Sequence, residues 1–342
     1  MMGSWLDYLR GYTPAHFGSS STAEEVTESL CLSHLTVLIT GATSGIGAEV
    51  ARVLAKHGAR LVIPARSLKK AELLREPLLQ QFPEAHIIAL ELDLASFASI
   101  RAFAAHFLGL GLPLNILINN AGVYCKSFKR SEDGFELSFA TNYLGHFLLT
   151  NLLMERMVKS AQESGVQGRI VNVSSCLHSW VVAPGIHLTS LHNPHSFKES
   201  MSYAQSKLAN ILHAKELARR LKECGANVTA NALHPGIVKT NILRDRKGFL
   251  TDVIVAVASK FFMKTIPQQA AATICYVATH SDLEGASGKY YADCAEAICS
   301  LCASDDKQAF ELWIYSEKVT TDLFENKFLK GLVYGLASHF SK

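Results

Sequence analysis

The sequence predicts an α/β fold in which helices cover both faces of a doubly wound, largely parallel sheet. Short apolar runs rich in Val and Ile alternate with longer stretches of helical pattern, which is typical of this class. A glycine-rich turn at residues 40–47 joins the first apolar run to the first long helix. The hydrophobic fraction of 49%, against 18% charged residues, is enough for a sizeable buried core.

The predicted elements follow one another in a regular order. Strands are expected at residues 35–40, 60–63, 87–92, 115–118, 169–173, 228–233 and 288–291. Helices are expected at residues 46–57, 68–82, 96–108, 134–163 and 267–279, with a further helix that carries Tyr203 and runs to about Glu223. Thr22 and Glu25 fit a capping box that opens a short helix through about Leu30.

The sequence indicates a single domain with extensions at both ends. No internal repeat or low-complexity tract interrupts the alternation of strands and helices. We expect the domain at residues 31–310, an N-terminal extension at 1–30 and a C-terminal helical tail at 311–342.

Composition argues against several other classes of protein. A net charge of +3 without a long basic run argues against a nucleic acid partner. No apolar stretch reaches the roughly 18 residues of a membrane span, and residues 1–21 lack the pattern of a secretory signal, so a secreted protein is not expected. The cysteines are expected to be reduced, and no metal site is predicted, because Cys294, Cys299 and Cys302 lack a fourth ligand at a familiar spacing.

The glycine turn has the chemistry of a dinucleotide-binding site. Glycines at 41, 45 and 47 let the backbone approach a pyrophosphate, and the following helix would present its N-terminal amides. Ser44 and Ile46 lie between these glycines and belong to the same predicted site. An ordinary glycine turn that packs a helix on a strand is the alternative.

The end of the second strand favours NADP(H) as the cofactor. An NAD site needs an acid about 20 residues past the glycines, but this position reads Pro-Ala-Arg66-Ser67. The Arg66 guanidinium suits a 2′-phosphate, and Ser67 can add a hydroxyl. A solvated surface arginine is the alternative.

Later strand ends supply further candidates for cofactor binding. Asp93, followed by Leu94, could accept a hydrogen bond from an adenine amino group, or could simply cap a helix. In the Asn-Asn-Ala-Gly run at 119–122, Gly122 would leave room for a ribose, and the side chains of Asn119 and Asn120 could tie neighbouring strand ends together.

Tyr203 and Lys207 form the most informative pair in the chain. Residues four apart are neighbours on one helix face. The ammonium can therefore lower the pKa of the phenol, so that the phenol exchanges a proton near neutral pH.

The motifs in their order resemble the short-chain dehydrogenase/reductase family over about residues 35–293, and this resemblance implies a Rossmann-like fold. They are the glycine turn, the Asn-Asn-Ala-Gly run, Asn142, Ser175, Tyr203 with Lys207, and Pro235-Gly236. Residues 21–26, 139–153, 206–212 and 233–236 further resemble the retinol-dehydrogenase-like branch. Within that branch they are most similar to the plant enzymes related to the short-chain dehydrogenase of the chloroplast import translocon.

The resemblance implies a role for each site residue. Tyr203 would be the general acid–base, Lys207 would bind the nicotinamide ribose, and Ser175 would polarise the substrate carbonyl. Asn142 would keep a water near Lys207. Pro235, Gly236 and Ile237 would seat the nicotinamide, and Thr240 would reach its carboxamide or a phosphate. Ser174 is the alternative to Ser175, and His146, His178 and His234 are histidines that this mechanism does not require.

The substrate and the partners are less closely defined. The largely apolar part of residues 241–268 would suit a lipophilic alcohol or carbonyl, such as a terpenoid, steroid or retinoid, or could pack on the core. The C-terminal tail could contact a membrane surface, bind a calmodulin-like partner or dock on the domain. The predicted location is the cytoplasm or the plastid, in association with the plastid envelope, and a homodimer is the predicted assembly. The alternative function is a nucleotide-sensing regulatory subunit of a plastid-envelope membrane complex.

Overall fold

The structure is a computed structural model that describes residues 17–188, 193–236 and 267–320. The elements below are numbered within these ranges. The predicted substrate segment, the tail beyond Thr320, Ile237 and Thr240 lie outside the described residues. Among the described helices, none is long and apolar enough to cross a bilayer.

One sheet forms the centre of the molecule and confirms the predicted fold class. Its strands are β1 (Thr36–Ile39), β2 (Arg60–Ala65), β3 (Ile87–Glu91), β4 (Ile116–Asn119), β5 (Gly168–Val173), β6 (Val228–His234), β7 (Tyr290–Ala292) and β8 (Ala295–Glu296). They lie in the order β3-β2-β1-β4-β5-β6-β7-β8, and every neighbouring pair is parallel except β7 and β8. Strand β1 is buried along its whole length, as expected for a parallel strand covered on both faces.

Helices cover the two faces of this sheet. They are α1 (Ala23–Thr27), α2 (Gly45–Lys56), α3 (Leu68–Gln81), α4 (Phe97–Gly109), α5 (Leu137–Phe139), α6 (Gly145–Ser164), α7 (Glu199–Glu223), α8 (Pro267–Thr279) and α9 (Asp306–Thr320). One apolar core contains side chains of α4, α6, α7 and α9, and the other contains side chains of α1, α2, α3 and α8. The two cores place a helical layer on each face, which is the doubly wound arrangement.

The long helical stretch predicted at 134–163 has an internal irregularity. A π-helical turn, Ala140–Leu144, separates α5 from α6, and the Gly145 amide donates to the carbonyl of Ala140, five residues back. Gly145 is needed at this point, because a Cβ atom there would lie 2.3 Å from the carbonyl oxygen of Leu94. The helix therefore passes against the loop that follows β3.

The chain ends of the described part pack onto the domain. Thr22 and Glu25 form the predicted capping box, although α1 ends at Thr27. Helix α9 runs through the predicted boundary at residue 311, and Trp313 packs against Phe147 of α6, with 4.9 Å between ring centres. The packed structure of the described residues therefore continues to Thr320.

Candidate active site

A cavity of about 680 Å³ opens at the carboxyl ends of the strands. Strand β1 lies between β2 and β4, so the strand order reverses at this point of the sheet. Crevices at such reversal points are the usual ligand sites of doubly wound sheets. The predicted residues that line the cavity are Gly41, Ser44, Gly45, Ile46, Gly47, Arg66, Ser67, Asp93, Leu94, Gly122, Ser175, Tyr203, Lys207, Pro235 and Gly236.

The glycine turn is built so that only glycine fits at two of its positions. Gly41 has a φ of +67°, and a Cβ atom there would lie 2.7 Å from Cα of Ala121. A Cβ atom on Gly47 would lie 2.5 Å from the carbonyl oxygen of Gly41. Gly47 lies in the first turn of α2, so this contact holds the start of the helix against the glycine turn.

The start of α2 offers its first amides to the cavity. Ser44 is the N-cap residue, and its side chain makes no capping hydrogen bond within the described chain. Gly45 has a φ of +60°, and a Cβ atom there would have no neighbour within 4 Å, so the backbone is open towards the cavity. Free amides at a helix N-terminus fit the negative charge of a pyrophosphate.

Two cations line the part of the cavity next to β2. Arg66 is exposed and forms no salt bridge with another residue of the described ranges, and Lys70 of α3 lines the same cavity. Ser67 is the N-cap of α3. Lys70 was not predicted, although its place in the first turn of the helix after Arg66 is a signal that the sequence contains. These three side chains fit a phosphate on the adenosine ribose.

The loop after β3 contributes Asp93 and Leu94 to the cavity wall. One oxygen of the Asp93 carboxylate accepts the amide hydrogen of Ala95 at 2.9 Å. The helix that follows is capped by Ser96, so Asp93 is not the capping residue that the alternative proposed.

The two asparagines at the carboxyl end of β4 have different surroundings. Asn119 is buried and does not line the cavity; its amide donates to Thr150 Oγ1 at 3.0 Å and to Asn172 Oδ1 at 2.9 Å. It ties strand β4 to β5 and α6. Asn120 lines the cavity and donates to the carbonyl of Thr40 at 2.8 Å. Successive side chains of a strand point to opposite faces, which separates these two residues.

Tyr203 and Lys207 lie beside each other on α7, as the sequence predicts. The Nζ atom of Lys207 is 5.7 Å from the centre of the Tyr203 ring and donates to the carbonyl of Val173 at 2.9 Å. Burial lowers the pKa of Lys207 to about 8. Lys207 therefore loses its proton more readily than an exposed lysine, and it still carries a positive charge at neutral pH.

Gly122 leaves space above this lysine. A Cβ atom on Gly122 would lie 3.4 Å from Lys207 Nζ and 3.6 Å from Asn142 Oδ1. The backbone of the Asn-Asn-Ala-Gly run consequently passes close to both polar groups, and a larger side chain would occupy the room between this run and Lys207.

Ser175 and Ser174 have different surroundings at the end of β5. Ser175 is half-buried, lines the cavity and accepts the amide hydrogen of Leu177 at 3.2 Å. Its oxygen retains a proton that it can donate to a ligand. Ser174 is buried, and its hydroxyl donates to the carbonyl of Lys207 at 2.7 Å.

Asn142 lies in the π-helical turn and is fully buried. Its side chain accepts the Val123 amide hydrogen at 2.7 Å, and donates to the Val123 carbonyl at 3.0 Å and to Ser206 Oγ at 2.9 Å. The amide therefore joins the loop after β4 to the helix that carries Tyr203. The role of Asn142 in holding a water near Lys207 stays a prediction.

The histidines that the mechanism does not require are held by other groups. His178 has its Nδ1 atom 2.7 Å from the Ser175 carbonyl, and its Nε2 accepts the Ser300 amide hydrogen. His234 Nδ1 accepts the amide hydrogen of Gly236 at 3.0 Å. Burial lowers the pKa of His178 and His146 to about 4 in each case.

An apolar group lies beside Tyr203, and one of its members, Tyr124, was not predicted as part of the site. Tyr124, Leu177 and Trp180 line the cavity, and the rings of Tyr124 and Tyr203 lie 5.4 Å apart. Trp180 is 42% exposed. The position of Tyr124 two residues after the Asn-Asn-Ala-Gly run is the signal that could have identified it.

Sequence comparisons identify the family of the chain. Residues 35–184 match the profile of the short chain dehydrogenase family. The chain is 50% identical to short-chain dehydrogenase TIC 32 B, chloroplastic, of Brassica napus, over 90% of this chain and 95% of the relative. It is 42% identical to retinol dehydrogenase 14 of Mus musculus, over 82% and 84% of the two chains.

A solved structure shares the fold as well. The crystal structure of an uncharacterised protein from Mycobacterium paratuberculosis superposes with a TM-score of 0.65 and 30% identity, over 91% of this chain and 98% of the other. The protein belongs to the short-chain dehydrogenase/reductase family. It is a dehydrogenase of the class that acts on CH–OH groups, and its family uses a nicotinamide dinucleotide.

Proposed function

We propose that the protein is an NADP(H)-dependent oxidoreductase that interconverts a lipophilic primary or secondary alcohol and its carbonyl compound. The observation that carries the proposal is the shared cavity. It brings Ser175, Tyr203 and Lys207 together with the glycine turn and Arg66. A nucleotide that lies along this wall would extend from the cationic end towards Tyr203.

The cavity fits the dinucleotide at each of its parts. Free amides at the start of α2 suit the pyrophosphate, and Gly122 leaves room for a ribose above Lys207. Arg66 with Lys70 suits a 2′-phosphate, which supports NADP(H) over NAD(H). When bound, the nicotinamide supplies or takes the hydride.

The protein residues supply the proton and the position of the substrate. In reduction Tyr203 donates its phenolic proton to the carbonyl oxygen, and in oxidation the phenolate takes the proton of the alcohol. The Ser175 hydroxyl donates a hydrogen bond to the same oxygen and stabilises the charge that develops there. The Lys207 ammonium lies next to the Tyr203 ring and favours the phenolate.

The apolar residues support a lipophilic substrate. Tyr124, Leu177 and Trp180 line the same cavity as Tyr203, and the ring of Tyr124 lies next to that of Tyr203. Apolar and aromatic walls with a few polar groups are typical of sites for small apolar ligands. Terpenoid, steroid and retinoid alcohols are the classes to test first. Because similar proteins carry the name chloroplastic, we also propose a plastid location.

The test is a screen with a matched variant. Purified protein is assayed for oxidation and reduction of terpenoid, steroid and retinoid compounds with NADP(H) and with NAD(H). Tyr203→Phe should lower turnover by about 10²- to 10⁴-fold while NADPH binding, followed by fluorescence, stays near that of the native protein. Full turnover by Tyr203→Phe would refute the proton-transfer role of Tyr203. A stable complex recovered in a pulldown, combined with wild-type function of the Tyr203→Phe variant, would favour a nucleotide-sensing subunit.

A further inference from the structure

A buried histidine, His146, connects the glycine turn to the π-helical turn of Asn142. Its Nε2 atom lies 2.8 Å from Thr40 Oγ1, and its Nδ1 atom lies 3.0 Å from the main-chain oxygen of Asn142. The side chain is 1% exposed and does not line the cavity. His146 therefore contacts the cofactor side of the site, at Thr40, and the catalytic side, at Asn142, from the interior of the protein.

These two contacts determine which nitrogen of the neutral His146 ring carries the hydrogen. A carbonyl oxygen can only accept, so Nδ1 carries the hydrogen and donates to Asn142. Nε2 of the neutral ring then accepts, and the Thr40 hydroxyl donates to it. The other acceptor near this hydroxyl, the carbonyl of Ile118, is at 3.4 Å. Burial, together with the charge of Lys207, holds the pKa of His146 at about 4.

On the cofactor side, His146 orients a hydroxyl that organises the turn. With its proton directed to His146, Thr40 Oγ1 accepts the amide hydrogens of Asn120 at 2.9 Å and Ala121 at 3.0 Å. Ala121 is the residue against which Gly41 packs. The ring therefore helps to hold the end of β4 against the glycine turn.

On the catalytic side, His146 fixes the backbone of Asn142. The side chain of Asn142 is already held by Val123 and by Ser206, the neighbour of Lys207. The ring adds a bond to the carbonyl within a π turn, a kind of turn that occurs frequently at functional sites. The position of Asn142 relative to Lys207 thus depends on His146 as well.

We propose that His146 is a positioning residue for the dehydrogenase reaction. As a neutral imidazole it holds Thr40 on the cofactor side and Asn142 on the catalytic side in one fixed geometry, and it touches no reacting atom. The proposal rests on the proposed function. A histidine that only filled the core would affect stability alone.

Two substitutions each remove one of the two hydrogen bonds of His146, and a third removes both. His146→Asn keeps a donor near the position of Nδ1 and loses the acceptor for Thr40. His146→Gln reaches the position of Nε2 with an acceptor and loses the donor to Asn142. His146→Leu removes both bonds and keeps an apolar side chain of similar size. His213→Leu is the matched control, because His213 is also buried between helices but contacts neither Thr40 nor Asn142.

The readouts are the Kd for NADPH by fluorescence, kcat and KM with the best substrate of the screen, and Tm. His146→Asn should raise the Kd for NADPH by about fivefold or more and change kcat little. His146→Gln should lower kcat by about tenfold or more with a near-native Kd. His146→Leu should show both effects, and His213→Leu should lower Tm only.

The proposal is overturned if the His146 variants lower Tm alone, as the control does, or if the effects on Kd and kcat do not separate between Asn and Gln. Should His146→Leu fail to fold, the Asn and Gln variants decide, since each keeps one bond. Tyr203→Phe is assayed in parallel. If that variant turns over normally, the proposed function fails, whereas the NADPH affinities still test the Thr40 bond.

Discussion

The hydroxyl of Ser174 donates to the main-chain oxygen of Lys207 at 2.7 Å. Two consecutive serines at the end of β5 consequently have different tasks. Ser174 holds the backbone of α7 at Lys207, and Ser175 presents its hydroxyl to the cavity. The family position and the hydrogen bonds both indicate Ser175 as the serine that binds the substrate.

We expect Ser175→Ala to lower kcat by about 10²- to 10³-fold, because a donor to the developing oxyanion is lost. Ser174→Ala should lower the free energy of unfolding by about 1 kcal/mol through the lost bond to Lys207, with kcat reduced less than tenfold. Steady-state kinetics and urea unfolding of both variants check this pair. A greater loss of kcat in Ser174→Ala would exchange the two assignments.

We expect Arg66→Asp to lower kcat/KM for NADPH by at least about tenfold and to improve use of NADH, because a carboxylate repels the 2′-phosphate and can bind ribose hydroxyls. Lys69→Asp is the control, since this substitution makes the same kind of charge change nearby, on α3, but Lys69 does not line the cavity. Steady-state kinetics give the ratio of kcat/KM for NADPH to kcat/KM for NADH in each variant. An unchanged ratio in Arg66→Asp would remove the argument for NADP(H).

The buried Lys207 should make the stability of the native protein depend on alkaline pH. Its pKa is about 8 in the folded protein and returns to its ordinary value of 10.5 on unfolding. Between these values the unfolded state binds more protons, so stability rises with pH. Relative to Lys207→Met, the native protein should gain about 3 kcal/mol between pH 8 and 10.5. Urea unfolding at several pH values gives this difference, and a constant difference contradicts the lowered pKa.

Buried neutral histidines should make the protein sensitive to acid. Burial lowers the pKa of His146 and His178 to about 4, and that of His213 to about 3. Since each gains a proton on unfolding between its folded pKa and about 6.5, stability falls as the pH falls through this window. Tm should therefore drop between pH 6.5 and 4. The drop should be smaller in His213→Leu, and an equal drop would mean that His213 does not contribute.

The close approach of α6 to the loop after β3 should make Gly145 intolerant of a methyl group. Gly145→Ala places a Cβ atom 2.3 Å from the Leu94 carbonyl oxygen. We expect a loss of about 1–3 kcal/mol in the free energy of unfolding. Gly109→Ala serves as the control, because nothing lies within 4 Å of a Cβ atom there. Chemical unfolding of both variants measures the free energy of unfolding. A Gly145→Ala protein as stable as the native protein would contradict the prediction.

The sequence predicted the sheet and the main helices because their periodicity and glycine signals are local. It also predicted which residues of the glycine turn, β2 and α7 meet, since parallel strands end at one edge. The π turn at Ala140–Leu144 was missed, because it changes the hydrogen-bond register without changing the apolar pattern. The two-residue strand β8 is too short to show any pattern.

Within the site, the residues that sequence reasoning missed depend on three-dimensional register. Asn120 rather than Asn119 lines the cavity, because alternation along β4 turns Asn119 into the core. Lys70 and Tyr124 reach the cavity from a helix start and a loop, where the direction of a side chain cannot be read from spacing.

Helix α9 closes the outer side of the helical layer that carries Tyr203 and Asn142. Trp313 packs on Phe147, Arg220 stacks on Trp313 at 4.4 Å, and Tyr143 bonds to Ser316. Phe310 and Ile314 of α9 are 47% and 42% exposed and lie on the outside of this cover. The contacts of α9 therefore shield the helix that carries Tyr203 with a segment of the same chain.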